Sequence, residues 1–420
     1  MSAAPQAVIV GGGQAGSCAA FALRRAGFEG RIVLAGEEAH MPYERPPLSK
    51  ATLTETSPKL PALFAAERYA AGAIDLRLAS RVESLDLAGQ QVALAGGGRL
   101  PYDLLLLATG GRARRLGVPG GEHILYLRDY GDALALRERL RPGTRLLCIG
   151  AGVIGLEIAS TARALGCEVV VAEAAGGIMG RCIAPAEADW LAGLHRAAGV
   201  ALRLGTGVVA ITEAGGVHTV QLSDGSALGA DLVVAGVGLV RNTALAEAAG
   251  IAVDNGILVD AFGRTDQPGV FAAGDVAAFW HPALGRPMRL ESWHHAQDHG
   301  TAVGAAMAGE LQAYQPVPRF WTDQQGINLQ VAGAPAAAAT SILRGDRAAG
   351  SFTTLHLDGD DRLVGVTTAN NARDMRPAMA LIRGGTRLDR AALADAAMPL
   401  HKLATAVATQ PPAAQPQTRR

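Results

Sequence analysis

Two copies of the glycine pattern G-x-G-x-x-G occur in this chain, each directly after a short run of branched apolar residues. The first is Gly11-Gly12-Gly13-Gln14-Ala15-Gly16 behind Ala7-Val8-Ile9-Val10, and the second is Gly150-Ala151-Gly152-Val153-Ile154-Gly155 behind Leu146-Leu147-Cys148-Ile149. One such pattern carries little weight in a chain with 53 glycines among 420 residues. Two, each closing a strand and opening a helix, point to a protein that holds two dinucleotides.

The flanking sequence repeats as well. The first unit reads as a strand at 7–10, a helix at about 14–26 and a strand at 31–34. A meander follows from Val82–Leu87 and Gln91–Leu94, then the apolar closing run Asp103–Gly110. The second reads as a strand at 145–149, a helix at about 153–165, a strand at 168–171 and a second meander. It ends in the similar run Asp231–Gly238. Three features recurring in the same order indicate an internal duplication. Beyond 240, Ile251–Val259 reads as strand–turn–strand, Gly269–Asp275 as a strand ending in Gly-Asp, and about 292–309 as a helix. Strands at 327–332, 340–344, 351–357 and 363–368, with helices near 371–383 and 390–396, suggest a further α+β domain.

The expected fold class is therefore α/β, with two duplicated Rossmann-like dinucleotide-binding domains and a C-terminal α+β domain. The expected boundaries are 1–110 with 243–318, 111–242, 319–405, and a disordered tail at 406–420 rich in Pro, Ala and Gln. Apolar residues make up 49% of the chain, enough for large cores. Lys+Arg and Asp+Glu balance at 38 each, so no global pull toward nucleic acid or an anionic membrane exists. No apolar stretch is long enough to span a membrane, and no secretory leader is expected ahead of the first strand. Cys18, Cys148, Cys167 and Cys182 have neither C-x-x-C nor metal-like spacing and read as small core residues in a reducing, cytoplasmic setting.

In each glycine loop the first glycine permits the tight turn and the second lets backbone approach a pyrophosphate. The third allows close helix–strand packing, with the helix N-terminus facing the phosphates. An acid roughly 20 residues farther on, at the end of the second strand, takes the ribose diol. Glu37 and Glu173 stand at these places, and an acid at Glu173 repels a 2′-phosphate, favouring NADH over NADPH. The assignment of the two sites comes from Thr265-Asp-Gln-Pro-Gly-Val-Phe-Ala-Ala-Gly-Asp275. It resembles the second FAD motif of flavoprotein reductases, in which the terminal Asp accepts a hydrogen bond from a flavin ribitol hydroxyl. With Ala108-Thr109-Gly110, this gives FAD to the first site and the nicotinamide nucleotide to the second.

From about residue 5 to 405 the chain resembles the ferredoxin reductases of oxygenase systems, relatives of rubredoxin reductase and apoptosis-inducing factor. The resemblance is carried by Val8–Gly16, Arg45-Pro-Pro-Leu-Ser-Lys50, Tyr102–Gly110, Gly152-Val-Ile-Gly-Leu-Glu157, Gly236–Asn242, Glu291-Ser-Trp293 and Phe320-Trp-Thr-Asp-Gln324. It implies FAD contacts at Gly11, Gly13, Ala15, Gly16, Glu37, Lys50, Val82, Ala108, Thr109, Gly110, Arg128, Gly274 and Asp275. Trp293 and Trp321 would lie against the flavin ring. For NAD it implies Gly150, Gly152, Ile154, Gly155, Glu157, Glu173 and Gly238, while Arg181, just past Glu173, is read from its position as a contact to the adenine ribose or phosphate. Lys50 and Glu157 would pair near flavin N5 as the catalytic residues, Lys50 stabilising negative charge and Glu157 positioning the nicotinamide.

Glutathione-reductase relatives carry redox cysteines where this chain has Pro46-Pro47-Leu48-Ser49-Lys50. Without them, electrons cannot pass to a disulfide. A flavin accepts a hydride and releases electrons singly, so the implied partner is a separate [2Fe–2S] ferredoxin serving a dioxygenase or a cytochrome P450. Rubredoxin as the acceptor, or an NADH-sensing interaction protein, are the alternatives. No metal site is expected: the adjacent His294 and His295 diverge by about 100° on a helix. His281 and His299 have no evident partner. Arg112, Arg114 and Arg115 read as a basic linker surface near the Ala-Thr-Gly turn.

Overall fold

The computed structural model describes residues 4–180, 182–281 and 285–408. Residues 409–420, where most of the expected tail lies, are outside the described residues. The chain divides into two compact units. One comprises the N-terminal segment up to Arg115 with Tyr126–Arg137 and Gly238–Pro316; the other comprises Leu116–Leu125, Glu138–Val237 and the chain from Val317 onward.

The first unit is built on a parallel sheet in the order Val270–Ala272, Leu104–Leu107, Gln6–Val10, Arg31–Ala35, Ile74–Arg77. Its inner strands are apolar on both faces because both faces are covered, whereas the edge strand Ile74–Arg77 carries Asp75 and Arg77. Val8, Val10, Val33, Leu105 and Leu107 enter one core, while Ala7, Ile9, Ile32, Leu34 and Leu106 enter the other. On the second face the helix Gln14–Arg25 is crossed by the helix Trp293–Met307 at very short range. A Cβ on Gly300 would stand 2.3 Å from the Ala15 carbonyl oxygen, and one on Gly304 would stand 2.3 Å from that of Ala19. The helix after Gly274-Asp275 is thereby seated on the helix of the first glycine loop. Of the expected strand–turn–strand at 251–259, only Ile257–Val259 is a strand, with a single bridge back to Val253.

The second unit repeats the parallel core: Ala201–Leu204, Glu168–Glu173, Arg145–Ile149 and Leu232–Ala235 lie side by side. A three-stranded antiparallel meander follows the same course in each unit, Val82–Asp86 to Arg99–Pro101 in one and Val208–Ala214 to Ala227–Ala230 in the other. The second unit also contains an antiparallel sheet in the order Arg319–Gln324, Ile327–Gly333, Leu363–Ala369, Ser351–Leu357, Thr340–Asp346. The helices Met375–Gly384 and Leu400–Ala408 complete its core. The strand Arg319–Gln324 and the helix Pro185–Ala197 are elements that periodicity did not indicate. No helix among the described residues is long and apolar enough to cross a membrane.

The helix crossing makes a direct prediction. Gly300→Ala should destabilise the protein by about 1–3 kcal/mol or more, because backbone and not a flexible side chain occupies the added methyl's place. Gly193→Ala, in the helix Pro185–Ala197 with no atom within 4 Å of where the methyl would stand, should stabilise by about 0.5–1 kcal/mol. Urea denaturation of both variants tests the pair, and equal effects would refute the close-crossing account.

Candidate functional site: two nucleotide loops with unequal surroundings

The two glycine loops share a backbone plan. Gly11 N–H donates to the Ala35 carbonyl and Gly150 N–H to that of Ala172, both at 2.8 Å. Gly11 (φ +118°) and Gly150 (φ +97°) take backbone angles that side chains disfavour. Their absent Cβ atoms would collide with the closing runs, 2.2 Å from the Ala108 oxygen and 2.6 Å from the Gly236 oxygen. Gly16 and Gly155 lie so close to the carbonyls of Gly11 and Gly150 that a Cβ would be 2.0 Å away. The middle glycines differ: Gly13 would meet nothing within 4 Å, and Gly152 only the Gly236 oxygen at 3.9 Å. Protein packing does not require glycine there, whereas a ligand lying across the loop does. Neither Gly13 nor Gly152 supplies a side-chain cap to its helix. A dinucleotide pyrophosphate fits both loops, with first-turn N–H groups as donors.

The strand-end acids are not equivalent. Glu173 directly follows Ala172, and its carboxylate accepts from Ala151 N–H at 2.7 Å and Ala175 N–H at 2.8 Å. In the first unit Gly36 holds the matching place, so Glu37 falls one residue later. Its side chain is 71% exposed, with Arg81 3.7 Å away. Glu173 is thus held rigidly against its glycine loop and Glu37 is not.

Around the first loop the structure gathers residues from four chain segments. Gly110 (φ +60°) ends the closing run beside the Arg128 guanidinium. Arg128 Nε donates to the Gly111 carbonyl at 2.9 Å, and its Nη2 lies 3.8 Å from Asp275 Oδ2. Gly274 (φ +77°) sits against the Ala15 methyl and brings Asp275 to this place. Asp275 Oδ1 is buried and has no hydrogen-bond partner, an acceptor that a ligand hydroxyl would satisfy. Desolvation raises the Asp275 carboxyl to about 6 against the pull of Arg128, and it brings the Arg128 guanidinium down to about 10. Thr109 and Asn242 clasp each other: Thr109 Oγ1 donates to the Asn242 carbonyl at 2.8 Å, and Asn242 Nδ2 donates to the Thr109 carbonyl at 2.9 Å.

The proline-rich turn is fixed to the same surroundings. Pro46–Ser49 forms one 3-10 turn, and Lys50 Nζ donates to the Pro46 carbonyl at 3.2 Å. Arg45 pairs with Glu38 at 2.9 Å and also donates to the Arg128 carbonyl. Val82 is buried in the core at the start of its meander strand. Trp293 is the first residue of the helix behind Asp275, capped by Ser292.

In the second unit Gly150, Gly152 and Gly155 form the second loop, Glu173 is bonded to it at Ala151, and Glu157 follows on its helix. Ile154 is 40% exposed on the first turn of its helix. Trp321 belongs to this unit, half-buried on the strand Arg319–Gln324. Gly238 (φ +106°) belongs to the first unit, where its carbonyl accepts from Arg114 N–H. Lys50 and Glu157 stand in different units. Arg181 lies outside the described residues.

Sequence reasoning missed partners for two histidines. His299 Nδ1 accepts from Gly274 N–H at 3.2 Å, and His281 Nε2 faces the Pro316 carbonyl at 3.4 Å. His299 therefore supports the Gly-Asp turn as a neutral imidazole, its pKa lowered by burial. His295 is held neutral likewise, at about 4, beside the Tyr314 hydroxyl at 3.0 Å. The even spacing of His295 and His299 on one helix face was the available signal. Three cysteines are buried as expected, but Cys182 is only half-buried. Burial raises the Cys18 thiol to about 11 and that of Cys148 to about 12, so neither is a ready nucleophile. Of the basic cluster, Arg115 lies over the Tyr126 ring at 4.4 Å and Arg112 reaches the Asn242 side chain at 3.4 Å.

Asp275 gives a pH prediction with a definite sign. Its folded pKa of about 6 lies above the unfolded value of 3.8, so the native state binds the extra proton between them. Stability then falls as pH rises through that window. With bound small molecules removed, Asp275→Asn should melt higher than the parent above pH 6, and the gain should vanish below pH 4. A pH series of thermal midpoints checks this; a gain that ignores pH would contradict it.

Comparison with known proteins agrees with this geometry. Residues 5–300 match the pyridine nucleotide-disulphide oxidoreductase family, and residues 319–404 match the reductase C-terminal family. The ferredoxin–NAD(+) reductase component of the anthranilate 1,2-dioxygenase system from Burkholderia cepacia is 41% identical over 94% of this chain and 98% of its own. The ferredoxin reductase for the CYP199A2 system from Rhodopseudomonas palustris superposes with a TM-score of 0.91 at 36% identity, covering 95% of this chain and 99% of that one. The reductase in the crystal structure of the covalent putidaredoxin reductase–putidaredoxin complex also gives a TM-score of 0.91 at 36% identity, covering 97% and 100%. With its glycine loops, its Gly-Asp turn and its C-terminal sheet all within these matches, the chain belongs to the pyridine nucleotide-disulphide oxidoreductases.

Proposed function

We propose that this protein is an FAD-dependent ferredoxin–NAD(+) reductase that takes electrons from NADH and passes them to a separate [2Fe–2S] ferredoxin. That ferredoxin serves a ring-hydroxylating dioxygenase or a cytochrome P450, as the systems named for its relatives suggest. The observation that carries the reading is the inequality of the two loops. Only the first has a Gly-Asp turn beside it, with a buried, unpartnered carboxylate oxygen at Asp275. FAD belongs there and NADH belongs at the second loop. When bound, the flavin supplies the exchange between a hydride pair and single electrons.

The residues supply binding and orientation. Gly11, Gly13, Ala15 and Gly16 admit the FAD pyrophosphate, Glu37 meets its ribose, and Asp275 takes a ribitol hydroxyl. Arg128, with Ala108, Thr109, Gly110 and Val82, borders the flavin, and Trp293 lies against its ring. Gly150, Gly152, Ile154 and Gly155 receive NADH, with Glu173 on its ribose diol. Lys50 and Glu157 are the catalytic residues, Lys50 stabilising negative charge on the reduced flavin and Glu157 orienting the nicotinamide. The turn Pro46–Ser49 carries no cysteine, which supports an outward path to another protein. Buried, protonated thiols at Cys18 and Cys148 support a cytoplasmic setting.

The purified protein should hold FAD, use NADH in clear preference to NADPH, and reduce cytochrome c rapidly only when a [2Fe–2S] ferredoxin is added. Glu173→Ala removes the charge-assisted hydrogen bonds from Ala151 and Ala175 N–H as well as the ribose acceptor. It should lower kcat/KM for NADH by roughly 10- to 100-fold while sparing NADPH, read from steady-state kinetics with both nucleotides. Equal losses with the two nucleotides would reject Glu173 as the discriminating acid. Fast turnover without a ferredoxin would reject the proposed acceptor.

A further inference from the structure

A buried line of polar side chains leads away from Glu157 into the interior of the second unit. Glu157, on the helix Val153–Ala164, is 2% exposed, Thr322 0%, Gln324 2% and His195 0%. Thr322 and Gln324 lie two apart on the strand Arg319–Gln324 and so face the same side, opposite to Trp321 and Asp323. Thr322 Oγ1 donates to Glu157 Oε1 at 2.6 Å, and Gln324 Nε2 donates to Thr322 Oγ1 at 2.9 Å. Gln324 Oε1 and His195 Nε2 are 2.9 Å apart, and His195 Nδ1 is 3.3 Å from Gln325 Nε2.

The polarity of this line follows from its first member. A carboxylate only accepts, so the Thr322 hydroxyl must give its proton to Glu157 and accept from Gln324. Gln324 then presents its amide N–H to Thr322 and its oxygen to His195. His195 must donate from Nε2, which leaves Nδ1 to accept from Gln325. Each bond along the line is donated toward Glu157, and Gln324 Nε2 also reaches Met179 Sδ at 3.7 Å. The hairpin turn at Gln325-Gly326, both residues at positive φ, closes the arrangement: Gln325 N–H donates to Ser160 Oγ at 2.8 Å, one turn along the helix from Glu157. An array satisfied end to end in a dry interior has one low-energy arrangement.

We propose that Thr322, Gln324 and His195 are positioning residues for Glu157, a one-way hydrogen-bond relay that locks its carboxylate in the orientation needed for hydride transfer from NADH. The inference rests on the reading of Glu157 as the nicotinamide-positioning acid. It gives the C-terminal strand a role in the nicotinamide half-reaction.

Stopped-flow reduction of the flavin-loaded protein by NADH tests it. Thr322→Val keeps the side-chain shape without the hydroxyl and should lower the limiting reduction rate about 10-fold, the loss of one charge-assisted hydrogen bond. The apparent NADH dissociation constant should change far less. Thr322→Ser should restore the rate to within about twofold of the parent, on the same hydrogen-bond arithmetic. In a Glu157→Gln background Thr322→Val should add little further loss. If Glu157→Gln slows reduction but Thr322→Val does not, the relay is overturned and the role of Glu157 stands. If Glu157→Gln leaves reduction unchanged, both fall. A full, independent loss from Thr322→Val in the Glu157→Gln background also overturns the relay. A readout separate from turnover is the His195 tautomer: nitrogen-15 NMR without nucleotide should find the proton on Nε2 and Nδ1 bare at pH 7. A proton on Nδ1 would mean that the polarity runs otherwise, and would overturn the proposal.

Discussion

Everything in this molecule depends on backbone meeting backbone where the glycine loops pass under the closing runs. The Ala108 oxygen lies 2.2 Å from where a Gly11 side chain would begin, and the Gly236 oxygen stands 2.6 Å from the same point on Gly150. No side chain is small enough to enter either gap. The contact sets the direction in which each helix leaves its sheet, and so the direction of its uncapped N–H groups. Given those two helices, the rest is placement. The helix Trp293–Met307 settles on the first through Gly300 and Gly304, and the hairpin at Gln325 reaches the second at Ser160.

The two units share a common plan of strand, glycine loop and helix, and their loops have unequal surroundings. One loop has acquired a Gly-Asp turn braced by His299 and faced by Arg128. The other has kept a strand-end glutamate fastened to its own backbone through Ala151 and Ala175. The first arrangement suits a ligand that stays, because it closes on it with several elements. The second suits a ligand that exchanges, because its recognition is already formed before the ligand arrives.

Much of this was legible from residue order, for physical reasons that can be named. Strands apolar on both faces and glycines that answer to backbone clashes leave strong local marks, so Gln6–Val10, Arg145–Ile149 and both helices behind them were readable almost to the residue. Arg319–Gln324 was not, because its inward residues are Thr322 and Gln324, whose partners are polar and distant in sequence. The difference between Glu37 and Glu173 was equally hidden. Spacing counts residues, whereas the hydrogen bond from each loop to Ala35 or Ala172 decides which residue follows the strand. His299 escaped notice because its partner is the backbone of Gly274, which no side-chain pattern announces.

The strand order of the first unit has a consequence for how the chain is made. Val270–Ala272 pairs with Leu104–Leu107, and between them lies the whole parallel core of the second unit. The chain departs and returns along a two-stranded ribbon, Gly111–Ala113 against Leu239–Arg241, so the intervening segment is a loop closed at its base. On a ribosome the N-terminal strands emerge first yet must wait with an open sheet edge until roughly 160 further residues have followed, a long-range closure of the kind that slows folding. The later nucleotide core, whose own strands are nearer neighbours in sequence, can assemble during that wait. The first unit, although its strands emerge earlier, is thus the later of the two to close.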